Sequence, residues 1–282
     1  MSLENPFVAF EQAIIAACAK HEEDNHRQPG YRRLIHFNDY IVKFGDSWCF
    51  SSEVRMHNHF SKVTANELAT PRVPLIHYSF ENEHLRYAII EPIQTIQVAE
   101  DIFIQKVADA VSWMRDQACP VGVALGPLGS GPIYHEIFKT KYAPLPFTSV
   151  VALEKYLNKA VSILLRRQGQ GVANISISGE RLVLTQSDMH PSNFGIDVTG
   201  RVVIFDFGEI GWLPESLANY TLLSTGEFIS KVAAHVFGDH LDSSNLVSLG
   251  AVKAILGLAA RATLGLDKDG NPVRARLSNV NS

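Results

Sequence analysis

The chain has 282 residues, 46% of them hydrophobic, and a formal net charge of −4. This is the composition of an ordinary globular protein, long enough for one large domain or two small lobes. A charge this close to neutral gives no support to nucleic-acid binding, which favours a basic surface. The longest apolar stretch, 246–265, is interrupted by Lys253 and Arg261 and reads as a buried helix, so no membrane span is expected. Residues 1–16 carry Glu4 and Glu11 without a basic flank, unlike a secretory signal. Cys18, Cys49 and Cys119 are far apart and make no metal-site spacing, which points to reduced thiols in an intracellular, cytoplasmic protein. The histidines are scattered; His57 and His59, two apart, do not share a helix face and read as surface or packing residues.

Along the chain, residues 5–20 follow helical periodicity through Phe7, Phe10, Ile14 and Ala17, with Asn5 as cap and Pro6 at the first position. The polar run 21–27 reads as a loop. Residues 34–37 and 40–44 read as a hairpin turning at Asn38-Asp39. Ser51 or Ser52 caps a helix to about residue 63, with Glu53 in its first turn. After Pro71 and Pro74, residues 76–80 and 85–90 read as strands joined by the turn 81–83. Helical spacing returns through Ile102, Val107, Ala110, Val111 and Met114. The glycine- and proline-rich segment 120–149 is expected to be a long irregular insertion of the kind that carries function. Val150, Leu153, Leu157, Val161 and Leu164 mark an amphipathic helix. Residues 182–185 and 202–205 read as two strands of one hairpin, and 215–237 and 245–264 as helices; the polar tail from about Asp267 is expected to fray. Strands come first and helices later. The expected fold is therefore α+β with two lobes: a small antiparallel-sheet lobe over 1–92 and a larger helical lobe, carrying the hairpin, over 93–282.

The chemistry concentrates in 186–208. Its reactive groups read Asp188, four residues, Asn193, twelve residues, Asp206-Phe207-Gly208. Phosphoryl transfer to a hydroxyl requires a carboxylate facing the acceptor, and Asp188 beyond a strand end suits that role. It requires hard oxygen ligands for a metal bridging the phosphates, which Asn193 and Asp206 offer. It requires a cation on the phosphates, and Lys43 in Ile41-Val42-Lys43-Phe44 lies in a strand as a kinase lysine does. Glu53 at a helix start can pair with Lys43; Glu67 competes for that place. Taken singly, each residue has a plain reading as a turn cap, a solvated lysine or a strand end. Their joint spacing and order select the kinase-like site. His190, beside Pro191, reads as a brace for the loop.

These residues resemble the aminoglycoside phosphotransferase and choline kinase-like family, the small-molecule branch of the protein-kinase-like fold. The family's His-Gly-Asp-Leu-His-Pro-Gly-Asn is matched here by Gln186-Ser187-Asp188-Met189-His190-Pro191-Ser192-Asn193. Its metal Asp followed by Gly-Trp-x-Pro-Glu is matched by Asp206 to Glu215. The resemblance covers about 31–227 and looks closest to uncharacterised fungal members. It implies ATP, magnesium (Mg2+) and O-phosphotransfer, with Asp188 as base, Asn193 and Asp206 as metal ligands and Lys43 on the phosphates. It also implies that adenine meets the backbone from Glu91 to Ile93. Two departures stand out. Gln186-Ser187 replaces His-Gly, and the stretch before Lys43, Arg27-Gln28-Pro29-Gly30-Tyr31-Arg32-Arg33, has one glycine where a phosphate loop is expected, leaving Arg32 or Arg33 to substitute by charge.

The expected function is an ATP-dependent small-molecule kinase whose acceptor meets 120–149 and the helices after Trp212. Glu209, Glu215, Glu227 and Asp239 are candidates for a cationic acceptor. The alternative is a pseudokinase or binding module that keeps the fold without turnover. A protein kinase fits less well, since no Ala-Pro-Glu follows Asp206-Phe207-Gly208.

Overall fold

The structure, a computed structural model, describes residues 5–65, 67–168, 172–223, 226–238 and 245–273. It resolves into two compact units: Met1–Trp113 with Leu128–Gly131 and His190–Gly208, and Met114–Pro127 with Pro132–Met189 and Glu209–Ser282.

In the first unit, Asn5 Oδ1 accepts the Phe7 N–H at 3.0 Å and Pro6 opens a 3₁₀ turn leading into helix α1 (Glu11–Asn25). Residues 21–25, expected as loop, complete this helix. The Lys20–Asp24 pair (3.0 Å) spans one turn and the Asn25 amide bonds back to the His21 carbonyl (3.0 Å). Their polarity reflects an exposed helix end. Ile14 and Cys18, one turn apart, face the sheet core, and burial pushes the Cys18 thiol up to about 12, as for an inert packing group.

Strands β1 (Leu34–Phe37), β2 (Tyr40–Asp46), β3 (Ile76–Asn82) and β4 (Leu85–Ile90) form an antiparallel sheet of order β1-β2-β4-β3. The Phe37–Tyr40 pairing leaves Asn38-Asp39 as a two-residue turn, with Asn38 at φ 51°. The second turn falls at Glu83-His84, with Glu83 at φ 54°, and not at 81–83, because the register sets Glu81 opposite Arg86, where the two form a 2.6 Å ion pair. Helix α2 (Ser47–Thr64) begins ahead of the expected serines: Asp46, the last residue of β2, caps it by accepting the Trp48 N–H at 2.9 Å. Glu53 therefore lies in the second turn of α2. Helix α3 (Glu100–Arg115) follows the extended link after β4.

The expected pairing of 182–185 with 202–205 does not form. Strand β5 (Leu182–Gln186) lies in the second unit, while β6 (Phe194–Ile196) pairs with β7 (Val202–Ile204) in the first. The nearer partner wins because Asp197 closes the intervening turn, its Oδ1 accepting from Thr199 N (2.9 Å), Thr199 Oγ1 (2.6 Å) and Arg201 N (3.0 Å).

In the second unit, β5 pairs with β8 (Ile210–Pro214), and β8 also bridges Gly126 of the irregular 120–149 segment. A Cβ at Gly211 would lie 2.7 Å from the Gly126 carbonyl carbon, so this crossing requires glycine. Helix α4 (Val150–Gln168) packs on α7 (Leu246–Leu258) in the main core, and α5 (Glu215–Leu222) shares that core through Leu217. The stretch expected as one helix over 215–237 is two, α5 and α6 (Glu227–Phe237), the latter entered through Gly226. Helix α7 stops at Leu258 because Ala259 turns extended (ψ 125°). The end of the tail, 274–282, lies outside the described residues. Among the described residues no helix is long and apolar enough to cross a membrane.

Candidate active site

Strand alternation sends Val42 and Phe44 into the sheet core and leaves Lys43 on the opposite face, the face covered by α2 through Phe50 and Val54. There the Lys43 Nζ donates to Glu53 Oε1 of α2 and, at 3.1 Å, to Asp206 Oδ1. Glu67, the rival partner, lies beyond α2, where its carbonyl accepts from Thr70 and Arg201. Burial alone would lower the Lys43 pKa, but the two carboxylates overcome it and hold the ammonium charged. Burial pushes Glu53 up to about 7 against the pull of Lys43. Burial opposes the Asp206 charge as well, yet Lys43, the Gly208 N–H (2.9 Å to Oδ1) and the charge of Arg32 hold its pKa below the usual carboxylate range.

The two residues after Asp206 fix this geometry. The Phe207 ring is buried against His57 (4.9 Å between centroids) and Phe60 (6.1 Å) of α2, so Asp206 and Glu53 are located by one packed contact. A Cβ at Gly208 would stand 3.0 Å from Glu53 Oε2 and 3.1 Å from Asp206 Oδ1, leaving glycine the only residue that fits without displacement. His57, read from sequence as a packing or surface histidine, donates from Nε2 to the Pro74 carbonyl at 2.6 Å, and burial lowers its pKa to about 4. Its position one turn past Glu53 is the signal that could have placed it here.

Asn193 ends the 3₁₀ turn Pro191–Asn193 and is buried; its carbonyl accepts the Phe205 N–H at 2.9 Å, which draws it to the residue preceding Asp206. His190 braces this turn: its Nδ1 accepts the Ser192 N–H (3.2 Å) and lies 2.7 Å from Ser192 Oγ. Lys43, Glu53, Asn193 and Asp206 all belong to the first unit.

Asp188 belongs to the second unit, just past β5. Its N–H donates to Gln186 Oε1 at 3.1 Å. The Ser187 N–H donates to the Glu209 carbonyl (2.9 Å) and its hydroxyl to the Tyr134 carbonyl (2.9 Å), tying the loop to β8 and to the 120–149 segment. The two substituted residues thus support the backbone around Asp188. Glu91 forms an ion pair with Arg72 (2.6 Å), accepts the Leu75 N–H (3.1 Å) and gives its own N–H to the Leu75 carbonyl (2.9 Å); Ile93 lies half-buried in the extended link after β4. Of the acceptor carboxylates, Glu215 pairs with Arg115 (3.3 Å) and Arg181 (2.6 Å), Glu227 pairs with Lys231 (2.7 Å) along α6, and Asp239 lies outside the described residues.

Among the described residues no three His, Cys, Asp or Glu side chains gather into a metal cluster. An amide oxygen and one carboxylate, Asn193 and Asp206, are the sparse hard-oxygen set that suits magnesium, which takes one or two protein ligands and completes its shell with water and phosphate.

A strand lysine clamped to a helical glutamate, with Asp-Phe-Gly closing on the same ammonium, is the arrangement of the protein-kinase-like fold, and the chain has that α+β, two-lobed fold. Solved structures similar to it include the choline kinase LicA of Streptococcus pneumoniae, at 14% identity over 87% of this chain and 88% of that one, with a TM-score of 0.44. A thermostable mutant of the aminoglycoside phosphotransferase APH(4)-Ia is similar at 14% identity over 85% and 88%, with a TM-score of 0.48. The streptomycin–ATP–APH(2")-IIa ternary complex is similar at 14% identity over 86% and 86%, with a TM-score of 0.44. No family model and no curated protein matches the chain.

Proposed function

We propose that this protein is an ATP-dependent small-molecule kinase that transfers the γ-phosphoryl group to a hydroxyl of its acceptor. The observation that carries the reading is the Lys43 ammonium held between Glu53 and Asp206. Lys43 is bracketed by two carboxylates on the face where phosphates would sit, and a divalent cation at Asp206 would add the positive charge that phosphate binding calls for. In this reading Lys43 binds the nucleotide phosphates, oriented by Glu53. Asn193 and Asp206 hold Mg2+, which neutralises phosphate charge when bound. The link from Glu91 to Ile93 meets the adenine through its backbone. Asp188 accepts the proton of the acceptor hydroxyl as it attacks phosphorus, and the bond from phosphorus to the ADP oxygen breaks. The Gln186 and Ser187 bonds hold the Asp188 backbone, which favours a working loop over a decayed one.

The acceptor class is open among amino alcohols, sugars and aminoglycosides. A phosphotransfer screen across those three classes tests the reading, with Asp188→Asn as control. Labelled phosphate on one acceptor, lost in Asp188→Asn, is the expected result. Full transfer by Asp188→Asn would remove the base assignment. MgATP binding with no transfer to any class would favour a binding module that keeps the fold, a reading to which the single glycine ahead of β1 lends support.

A further inference from the structure

The loop that leads into β1 lacks the glycines that let backbone amides wrap phosphate, yet it carries two adjacent arginines in different circumstances. Arg33 is committed: its guanidinium donates twice to Glu22 of α1, at 3.2 and 2.5 Å. Arg32 is exposed, and among the described residues it pairs with no carboxylate. Its Nη2 donates to Ser192 Oγ at 2.7 Å, a hydroxyl also held by His190. The Arg32 carbonyl is pinned by the Leu34 N–H (2.8 Å) and by His21 Nε2 (2.9 Å), so the start of its side chain is fixed while its end is held by one neutral contact. Ser192 precedes Asn193, and Asn193 is bonded through its carbonyl to the residue before Asp206. The guanidinium is thereby tethered beside the candidate metal ligands, on the element that in kinases covers the phosphates. A planar fork of donors on a neutral hydroxyl gains a charge-assisted, bidentate contact when a phosphate replaces that hydroxyl.

We infer that Arg32 binds the terminal phosphates of the nucleotide in place of a glycine-rich loop, and that Ser192 holds its guanidinium ready when no nucleotide is bound. The inference rests on the kinase reading above. It concerns this chain's own substitutions: Ser192 stands where the resembled family has glycine, and Arg32 reaches it. The charge of Arg32 felt at Asp206 accords with this placement.

Calorimetric titration of the full chain with MgATP, MgADP and AMP tests it through binding alone. Arg32→Ala is expected to weaken MgATP by about tenfold to a hundredfold, MgADP by less, and AMP not at all. Arg33→Ala, which loses the Glu22 pair, is expected to change MgATP affinity by less than about twofold. Ser192→Ala breaks the tether and keeps the cation, so MgATP affinity should fall by about twofold to fivefold, less than in Arg32→Ala. Arg32→Lys should recover part of the loss, since a point charge cannot fork. Equal losses for ATP, ADP and AMP in Arg32→Ala would overturn the assignment, as would a Ser192→Ala loss matching Arg32→Ala, which would make the pair a structural brace. An Arg32→Ala protein with unchanged MgATP affinity overturns this assignment alone, whereas a wild-type protein that binds no nucleotide overturns the kinase reading and this inference with it.

Discussion

Lys43 and Arg72 each hold two carboxylates together within the first unit, yet the two triads are built differently. Arg72 joins Glu91 (2.6 Å) to Asp197 (3.3 Å), and both acids have further donors: Glu91 takes the Leu75 N–H, and Asp197 takes Thr199 and Arg201. Burial opposes the Asp197 charge, but those bonds outweigh it and lower its pKa. Lys43 joins Glu53 to Asp206, and among the described residues Glu53 takes no hydrogen bond except from Lys43. Burial there prevails and raises Glu53. The same arrangement of one cation and two acids thus makes a closed staple in one place and, in the other, leaves Glu53 held by Lys43 alone among the described residues. What separates the two clusters is that each acid of the Arg72 triad has donors besides its cation, whereas Glu53, among the described residues, has Lys43 alone.

The largest expected effect comes from removing Lys43. Lys43→Met leaves Glu53 buried without a partner, and urea unfolding should show a loss of about 3 kcal/mol together with at least a tenfold drop in MgATP affinity. Adding Glu53→Gln should return part of the stability and none of the affinity. A single-mutant loss no greater than that of Arg72→Met would erase the distinction between the triads.

Acidification offers a second route. His57 and His135 are buried, and burial lowers each pKa to about 4 from an unfolded value near 6.5. A base whose folded pKa lies below its unfolded value binds more protons when unfolded, so its stability contribution is intact above pH 6.5 and drains as pH falls toward 4. Each histidine accounts for up to about 3 kcal/mol over that window. The stability–pH curve of His57→Gln should flatten there, and one of unchanged slope would remove His57 from the account.

Backbone crowding ranks next. Gly211→Ala pushes a methyl to within 2.7 Å of the Gly126 backbone and should cost about 2 kcal/mol, read as a lower unfolding midpoint. Gly208→Ala meets only the ends of Glu53 and Asp206, so it should cost less stability and disturb magnesium-dependent binding more. The smallest effect is expected at Arg72→Met: about 1 kcal/mol, since its partners keep their backbone donors and the side chain is about one-third exposed, with MgATP affinity changed less than about twofold.

Much of this was legible in the residues. Asn38-Asp39 could only be a tight turn, and strand alternation put Lys43 opposite Val42 and Phe44. The spacing of Asp188, Asn193 and Asp206 pointed to the chemistry proposed above. What stayed hidden depended on competition between partners. Strand 202–204 had two apolar candidates, and Asp197, an unremarkable turn acid in sequence, decided for β6. Asp46 looked like a strand end, and its capping role, which moved α2 and Glu53 by a turn, shows only once Trp48 is seen to donate to it. Residues 21–25 look like a loop in sequence because polarity marks an exposed helix end as readily as it marks a loop. Arg32 and Arg33 were equivalent in sequence, and Glu22, far back along α1, separates them.

In the proposed function, a metal–nucleotide complex completes the Lys43 triad. Titration of wild type and Asp206→Asn with ATP, each with and without Mg2+, tests it directly. Magnesium is expected to tighten ATP binding to the wild type by about tenfold or more and to leave Asp206→Asn unaffected. Wild-type affinity indifferent to magnesium, or no binding at millimolar ATP, would contradict it.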